Sequence, residues 1–262
     1  MTLVLPSRLT ASARSIRDAA HRRGLPTVSL PSAAVPQGLS ARHLHAGPTF
    51  ADAVAPALGI ALLQAPEDWL PALPQAFTRR EIRALPLGEA YTLRRPAFVK
   101  SPNDKSVPAR VYADGSRLPG PDALDPATTV LVGDVVRFTE EHRLFLLDGA
   151  VHTAARYAED GRLRTGPPSP GALAFGARLL AAVGDTLPSA VVVDVGRTAG
   201  GWAVVEANAA WACGRYTADA DRALEVILRA AGPLSALTGR DRPFVRRVSP
   251  AAGTTVPGPR AG

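Results

Sequence analysis

Apolar residues recur along the chain with two periods, one near 3.6 and one of two, and their alternation predicts a mixed fold, α/β to α+β. Leu3-Val4-Leu5 predicts a short strand. Thr10 then stands where an N-cap is wanted, and Ala13, Ile16 and Ala20 share one face of a helix over residues 10–23, stopped at Gly24. Residues 26–30 predict a second strand, 50–58 a helix and 60–63 a third strand. The proline-dotted stretch 66–90, with PEDWLPALPQAF and RALPLGE, reads as helical turns crossing between domains.

From Ala97 the strand signals crowd together as AFVK, ARVYADG, TTVLVGDVV, HRLFLLDG and AVHTAARY. Asp114-Gly115 and Asp148-Gly149 lie between apolar runs as hairpin turns. A helix is expected over residues 170–183, followed by strands over 190–196 and 202–208 around a turn at 198–201. In a last helix over 218–231, Ala220, Leu224, Ile227 and Ala231 share a face, and Gly232-Pro233 ends it. Beyond Arg240 the Pro, Gly and Thr content predicts disorder. The pattern contains no internal repeat.

Composition narrows the class. With 262 residues, the chain suits one large or two small domains. No apolar run nears the roughly 20 residues needed to span a bilayer, the N-terminus lacks the flanks of a secretory signal, and there is one cysteine, Cys213. A cytoplasmic protein is expected. The net charge of +7 invites a nucleic-acid reading. The arginines, however, are spread along the chain with no basic run interleaved with stacking aromatics, so a compositional bias accounts for the charge better.

The stretch VVVDVGRTAGGWAVVEANAAW carries the most chemistry. It reads as strand, glycine turn, strand, with Asp194 near the end of the first strand and Glu206 and Asn208 near the end of the second. Side chains two apart share a face, so Glu206 and Asn208 project together, with Asp194 on the adjacent strand. Three oxygen ligands on one rigid face suit Mg²⁺, and a carboxylate within VVEAN is costly to bury unless it is paired or metal-bound. An ordinary solvated hairpin is the alternative. In FTEEHRLFLLDGAVHTAARY, Glu141 and Arg143 share a face and Arg156 lies on the next strand. They suit either a cross-strand ion pair or arginines neutralising a transferred phosphoryl group.

Lys100 and Lys105 are the only lysines; the other 28 of the 30 basic residues are arginine. Lys100 closes the strand AFVK, where it either reaches for water or sets a compact ammonium on nucleotide phosphates. Neither a Walker A pattern nor G-x-G-x-x-G occurs, so a nucleotide would bind by another route. Cys213, in AWACGRY, is read as packing, and His142 and His152 as structural. The segment from Trp211 to Tyr216 is either core or the wall of an acceptor pocket.

Taken in order, Lys100, Lys105, VLVGDVV, EEHR, Asp194 and EAN resemble the ATP-grasp superfamily over residues 97–232, in particular small bacterial ATP-grasp-domain proteins. These share phrases similar to FVK…K…ARVY.DG and VVDVG…GWAVVEAN.AW..G.Y. The resemblance implies an N-terminal α/β domain (1–76), an ATP-grasp domain of two α+β subdomains clamping the nucleotide (77–240), and a tail (241–262). It names no acid, acceptor or oligomeric state.

The resemblance also implies ATP and Mg²⁺ as cofactors. Lys100 would contact the α- and β-phosphates, the strand through Val132 and Val135 would offer backbone groups to the adenine, and Glu141 would hold the ribose or a nearby charge. Asp194, Glu206 and Asn208 would be the magnesium ligands, with Glu206 bridging two ions. Arg143 and Arg156 would contact the γ-phosphate or an acyl phosphate. Lys105 sits where many members have a glycine-rich loop, and SPNDKSVPAR has no glycine. The implied activity is a carboxylate–amine (or thiol) ligase working through an acyl phosphate on small-molecule or peptide partners. A non-catalytic ATP sensor and a basic nucleic-acid-binding protein are the alternatives.

Overall fold

The computed structural model describes residues 2–103 and 105–247. Its N-terminal layer is a parallel sheet in which Leu3–Pro6 lies between Thr27–Leu30 and His43–Leu44. Leu3, Val4 and Leu5 are wholly buried. Thr10 caps the helix Ala11–Arg22, its hydroxyl accepting from the Ala13 amide at 3.1 Å, and Ile16, Ala19 and Ala20 face the core.

The largest sheet runs Arg162–Gly166, Ala150–Glu159, Glu140–Leu147, Ala190–Thr198, Gly201–Asn208, antiparallel throughout. Val191, Val193 and Val195 share a core with Ala172, Phe175 and Leu179 of the helix Pro170–Val183. On the other face, Ala190 and Val192 share a core with Leu3, Leu5 and Ile16 of the N-terminal layer and with Leu224 and Ile227 of the helix Ala220–Ala230. A strand covered on both faces explains the unbroken valine run. Asp194 interrupts that run and lies on the Val192 face, toward the N-terminal layer.

The smaller sheet runs Ile82–Pro86, Thr129–Gly133, Ala97–Lys100, Arg110–Tyr112. Lys100 ends its strand opposite Leu131. Residues 134–139 link the two sheets. Among the described residues, no helix is long and apolar enough to cross a membrane.

The Asp148-Gly149 turn joins its two strands as expected, with φ of 48° and 81°. Asp114-Gly115 is not a hairpin. Asp114 caps a 3₁₀ turn, Gly115–Arg117, and the strands on either side do not pair with each other. This glycine is there for close approach: a Cβ would fall 2.3 Å from the carbonyl oxygen of Tyr91 and 2.5 Å from that of Ala90. Backbone cannot swing aside as a side chain can. Gly115→Ala is therefore expected to destabilise the protein by about 3 kcal/mol in urea unfolding.

Stretch 66–90 holds short helices at Trp69–Ala72, Gln75–Thr78 and Leu87–Ala90, but also the edge strand Ile82–Pro86, which the prolines concealed. Residues 241–247, assigned by composition to a disordered tail, are packed. Asp241 accepts from the amide and hydroxyl of Ser189, both at 2.7 Å, and Val245 bridges to Leu63. The remainder of that predicted tail, 248–262, lies outside the described residues.

His45 follows the strand His43–Leu44 and is buried; burial lowers its pKa to about 4, against a hydrogen bond to the Trp211 carbonyl. The unfolded chain thus takes up the proton first as pH falls, and stability drops from about pH 6.5 to about pH 4. The contribution is about 3 kcal/mol. Urea titrations across that window should show the loss, reduced in His45→Gln.

Candidate active site

Three adjacent strands place Arg143, Asp194 and Glu206 in one cross-strand row, Asp194 standing opposite Arg143 on one side and Glu206 on the other. Asn208, two residues on, shares the Glu206 face. Arg143 grips Asp194 with two parallel bonds, Nε to Oδ1 at 2.9 Å and Nη2 to Oδ2 at 2.7 Å, and its Nη1 donates to the Gly214 carbonyl at 3.0 Å. Burial works against the guanidinium charge, and the Asp194 carboxylate more than offsets it. The Tyr157 and Tyr216 rings, stacked 5.0 Å apart, lie within 5.8 and 5.0 Å of that guanidinium.

Glu206 is held from two sides. Lys100 reaches across from the smaller sheet to pair with Oε2, and Asn208 Nδ2 donates to Oε1 at 2.9 Å and to Asp194 Oδ2 at 3.3 Å. Burial pushes the Glu206 carboxyl up, but Lys100 and Asn208 outweigh it and hold the pKa below the usual range. Glu141 accepts from the Tyr157 hydroxyl at 2.8 Å. Burial, with the charges of Asp194 and Glu206, raises its pKa, and the same causes raise that of Tyr157.

The row opens into a cleft of about 750 Å³, walled by Lys100, Lys105, Arg143, Glu206 and Asn208, with Gln64 and Arg246 from outside the two sheets. The glycine-free loop that carries Lys105 is closed at its base, Ser101 Oγ accepting from the Val107 amide at 2.7 Å. Asn103 Nδ2 ties the loop to the Ala65 carbonyl at 3.1 Å. Cys213 also lines the cleft, its thiol pushed up to about 12 by burial, so it packs rather than reacts.

Lys100, Lys105, Arg143, Asp194, Glu206 and Asn208 therefore meet at one place, with Glu141 joined through Tyr157. Arg156 does not meet them. Ala155 stands opposite Arg143, so the next residue turns to the other face, where Arg156 stands opposite His142, and its nearest carboxylate is Glu159 at 3.9 Å. Val132 packs into the core of the smaller sheet, and Val135, 51 % exposed, lies past the end of its strand; neither lines the cleft. Tyr157 was missed although it lies two residues beyond Ala155 and so on the Arg143 side. Tyr216, at the end of the segment read as either core or the wall of an acceptor pocket, lines the cleft, while Arg246 carries no local pattern that marks it.

Chemically, two carboxylates and a side-chain amide on one rigid edge supply the hard oxygen donors that suit Mg²⁺, provided the amide turns its oxygen to the ion in place of the Nδ2 that faces both carboxylates. Among the described residues no group of three His, Cys, Asp or Glu side chains gathers to hold a metal; here the third member is an amide. Both carboxylates already carry a cationic partner, so an ion entering here must displace at least one of those contacts.

Solved structures of the same fold span most of this chain. The RimK domain protein ATP-grasp from Sphaerobacter thermophilus is 16 % identical with a TM-score of 0.51, covering 87 % of this chain and 100 % of its own. The ATP-grasp ligase PsnB, complexed with minimal precursor, is 13 % identical with a TM-score of 0.52, covering 87 % and 98 %. The D-alanine–D-alanine ligase from Bacillus anthracis, complexed with ATP, is 11 % identical with a TM-score of 0.51, covering 87 % and 96 %. At these identities the likeness shows the fold alone. No curated protein matches the chain. A family model described as an ATP-grasp domain, the second family of its clade, matches residues 77–226, more than half of the chain, and the protein belongs to that ATP-grasp family.

Proposed function

We propose that the protein is an ATP- and Mg²⁺-dependent ligase that joins a carboxylate to an amine, or to a thiol, through an acyl phosphate. The observation that carries the reading is that Lys100, Arg143, Glu206 and Asn208 line one cleft large enough for a triphosphate and a second substrate, with Asp194 buried between Arg143 and Glu206 in the row behind it. Proteins of this fold that support it include a D-alanine–D-alanine ligase complexed with ATP and a ligase complexed with a minimal precursor.

In this reading Asp194, Glu206 and the amide oxygen of Asn208 hold Mg²⁺, which when bound neutralises charge on phosphate oxygens. Lys100 sets its ammonium on the phosphates, and Lys105 adds a second cation from the loop. Arg143, fixed by Asp194 and Gly214, presents its stacked guanidinium at the cleft wall, where charge develops on the transferred group. A substrate carboxylate oxygen attacks the γ-phosphorus; the new O–P bond forms as the bond to the β,γ-bridging oxygen breaks, and ADP leaves with the electron pair. The amine nitrogen then attacks the acyl carbon. A C–N bond forms, the C–O bond to phosphate breaks, and the amine's proton passes to solvent. These side chains position and neutralise, and none forms a covalent bond to substrate.

ADP release measured over a panel of acids and amines tests the proposal: release is expected to require one of each. The tied, glycine-free loop favours a second reading, ATP binding without turnover. Tight ATP binding with no ADP across the panel would establish that reading instead. Lys105→Ala is expected to raise the KM for ATP about fivefold with the fold intact. An unchanged KM and kcat would remove Lys105 from the site.

A further inference from the structure

Trp202 and Val204 face the core beneath the helix Pro170–Val183, and a strict period of two would send Glu206 into that apolar core after them. It goes the other way. Val204 stands opposite Val195 and Glu206 opposite Asp194, so Val205 is one residue too many, a β-bulge. Beyond it the faces are exchanged: Ala207 packs on the core, and Glu206 and Asn208 join Asp194. The bulge is therefore what brings Glu206 into the row.

Gly201–Asn208 is the edge strand of the largest sheet, so no further strand holds its outer side. Arg80 does so at the bulge. Its Nη1 donates to the Val204 carbonyl at 2.8 Å and its Nη2 to the Val205 carbonyl at 3.2 Å, the two carbonyls immediately before Glu206. Nη1 also donates to the Thr78 carbonyl at 2.9 Å. The rigid fork of a guanidinium suits two neighbouring acceptors, which a single ammonium cannot serve as well.

Arg80 is itself held in place. Arg79, in the left-handed region at φ 54°, turns the chain after the helix Gln75–Thr78. The Glu81 amide donates to Asp134 Oδ2 and the Asp134 amide to the Glu81 carbonyl, both at 3.1 Å, which ties the segment to the linker between the sheets. The Phe138 ring lies 5.6 Å from the guanidinium, and Gly196 makes room for it, since a Cβ there would fall 2.4 Å from the ring. Arg80 is only 9 % exposed, and its acceptors are backbone carbonyls rather than a carboxylate. Burial lowers its pKa to about 10, with Asp134 acting against the fall, so the side chain stays charged at pH 7. A buried cation without a carboxylate is a costly way to join two sheets, because an apolar side chain would fill the space without desolvating a charge.

Resting on the ligase reading above, we propose that Arg80 is a positioning residue: by holding the Val204 and Val205 carbonyls it keeps the bulge, and so keeps the Glu206 carboxylate on the magnesium face. Arg80 does not line the cleft and acts through Glu206 alone.

Arg80→Met tests this in the full chain. Calorimetric ATP titrations with and without Mg²⁺ are expected to show the strengthening by magnesium cut at least about tenfold, with magnesium-free ATP affinity within about twofold of wild type. In ADP release, kcat should fall about tenfold with the KM for ATP little changed. Backbone amide exchange should quicken about tenfold at residues 206–208 but not at residues 191–193 of the neighbouring strand. Lower stability in urea with magnesium's effect unchanged, or exchange quickened equally through the sheet, would make Arg80 a structural tie only and overturn the proposal; ADP release by wild type would leave the ligase reading standing. Where Arg80→Met does not fold, Arg80→Lys replaces it, keeping the charge but not the fork, and a magnesium effect equal to wild type in that variant overturns the proposal too. If wild type binds no ATP, the ligase reading falls, and the exchange pattern alone decides for or against Arg80.

Discussion

Arg143→Met is expected to destabilise the protein by about 3–5 kcal/mol and to abolish turnover. The stability loss comes from Asp194, whose side chain is only 2 % exposed and takes both strong bonds from Arg143. Without the guanidinium a buried carboxylate has only the long contact from Asn208 to answer its charge. Arg143→Lys should restore little of either property. One ammonium cannot make two parallel bonds to the carboxylate while also bonding Gly214, and it lacks the flat face that lies over the Tyr157–Tyr216 pair. The double variant Arg143→Met/Asp194→Asn separates the two effects. Urea unfolding should show most of the stability restored, because the unpaired charge is gone, whereas ADP release should stay absent. Recovery of turnover in the double variant would remove both residues from the catalytic machinery.

The row that makes this prediction possible was partly visible in the sequence. Period two put Glu206 with Asn208 and Glu141 with Arg143, since a strand has only two faces and the valines claim the buried ones. The pairing of Asp194 opposite both Arg143 and Glu206 was not visible. It depends on the register of three strands, which turn geometry and sheet packing set jointly. Arg156 shows the consequence: its face is fixed by Ala155 standing opposite Arg143, a long-range fact.

Local turn signals were uneven guides. Asp148-Gly149 made its hairpin, and Asp160-Gly161, with φ of 48° and 72°, made another that leads into the unpredicted edge strand Arg162–Gly166. Asp114-Gly115 has the same letters, but there the glycine answers to neighbouring carbonyls rather than to a turn. Tyr216 and Arg246 come from segments far apart in sequence from the Lys100 strand, and only the packing of the N-terminal layer against the largest sheet brings them to one cleft.

Glu206→Gln separates metal from nucleotide by the sign of its effects. Lys100 is paired with Glu206, so on the ligase reading a lysine that contacts phosphate must exchange that carboxylate for it. Removing the charge at 206 frees the ammonium. ATP without magnesium should then bind as tightly as to wild type or more tightly. Magnesium should no longer strengthen binding, because glutamine offers one neutral oxygen where a carboxylate stood. Turnover should fall by at least about 10³-fold, as expected when a group that holds charge-neutralising metal is lost. Calorimetric ATP titrations with and without Mg²⁺, paired with ADP release, read all three. The substitution keeps side-chain size and the Asn208 contact, so the fold should survive it. Turnover equal to wild type would remove Glu206 from the metal site, and magnesium-free ATP binding weaker than wild type would show that Lys100 does not pass from carboxylate to phosphate.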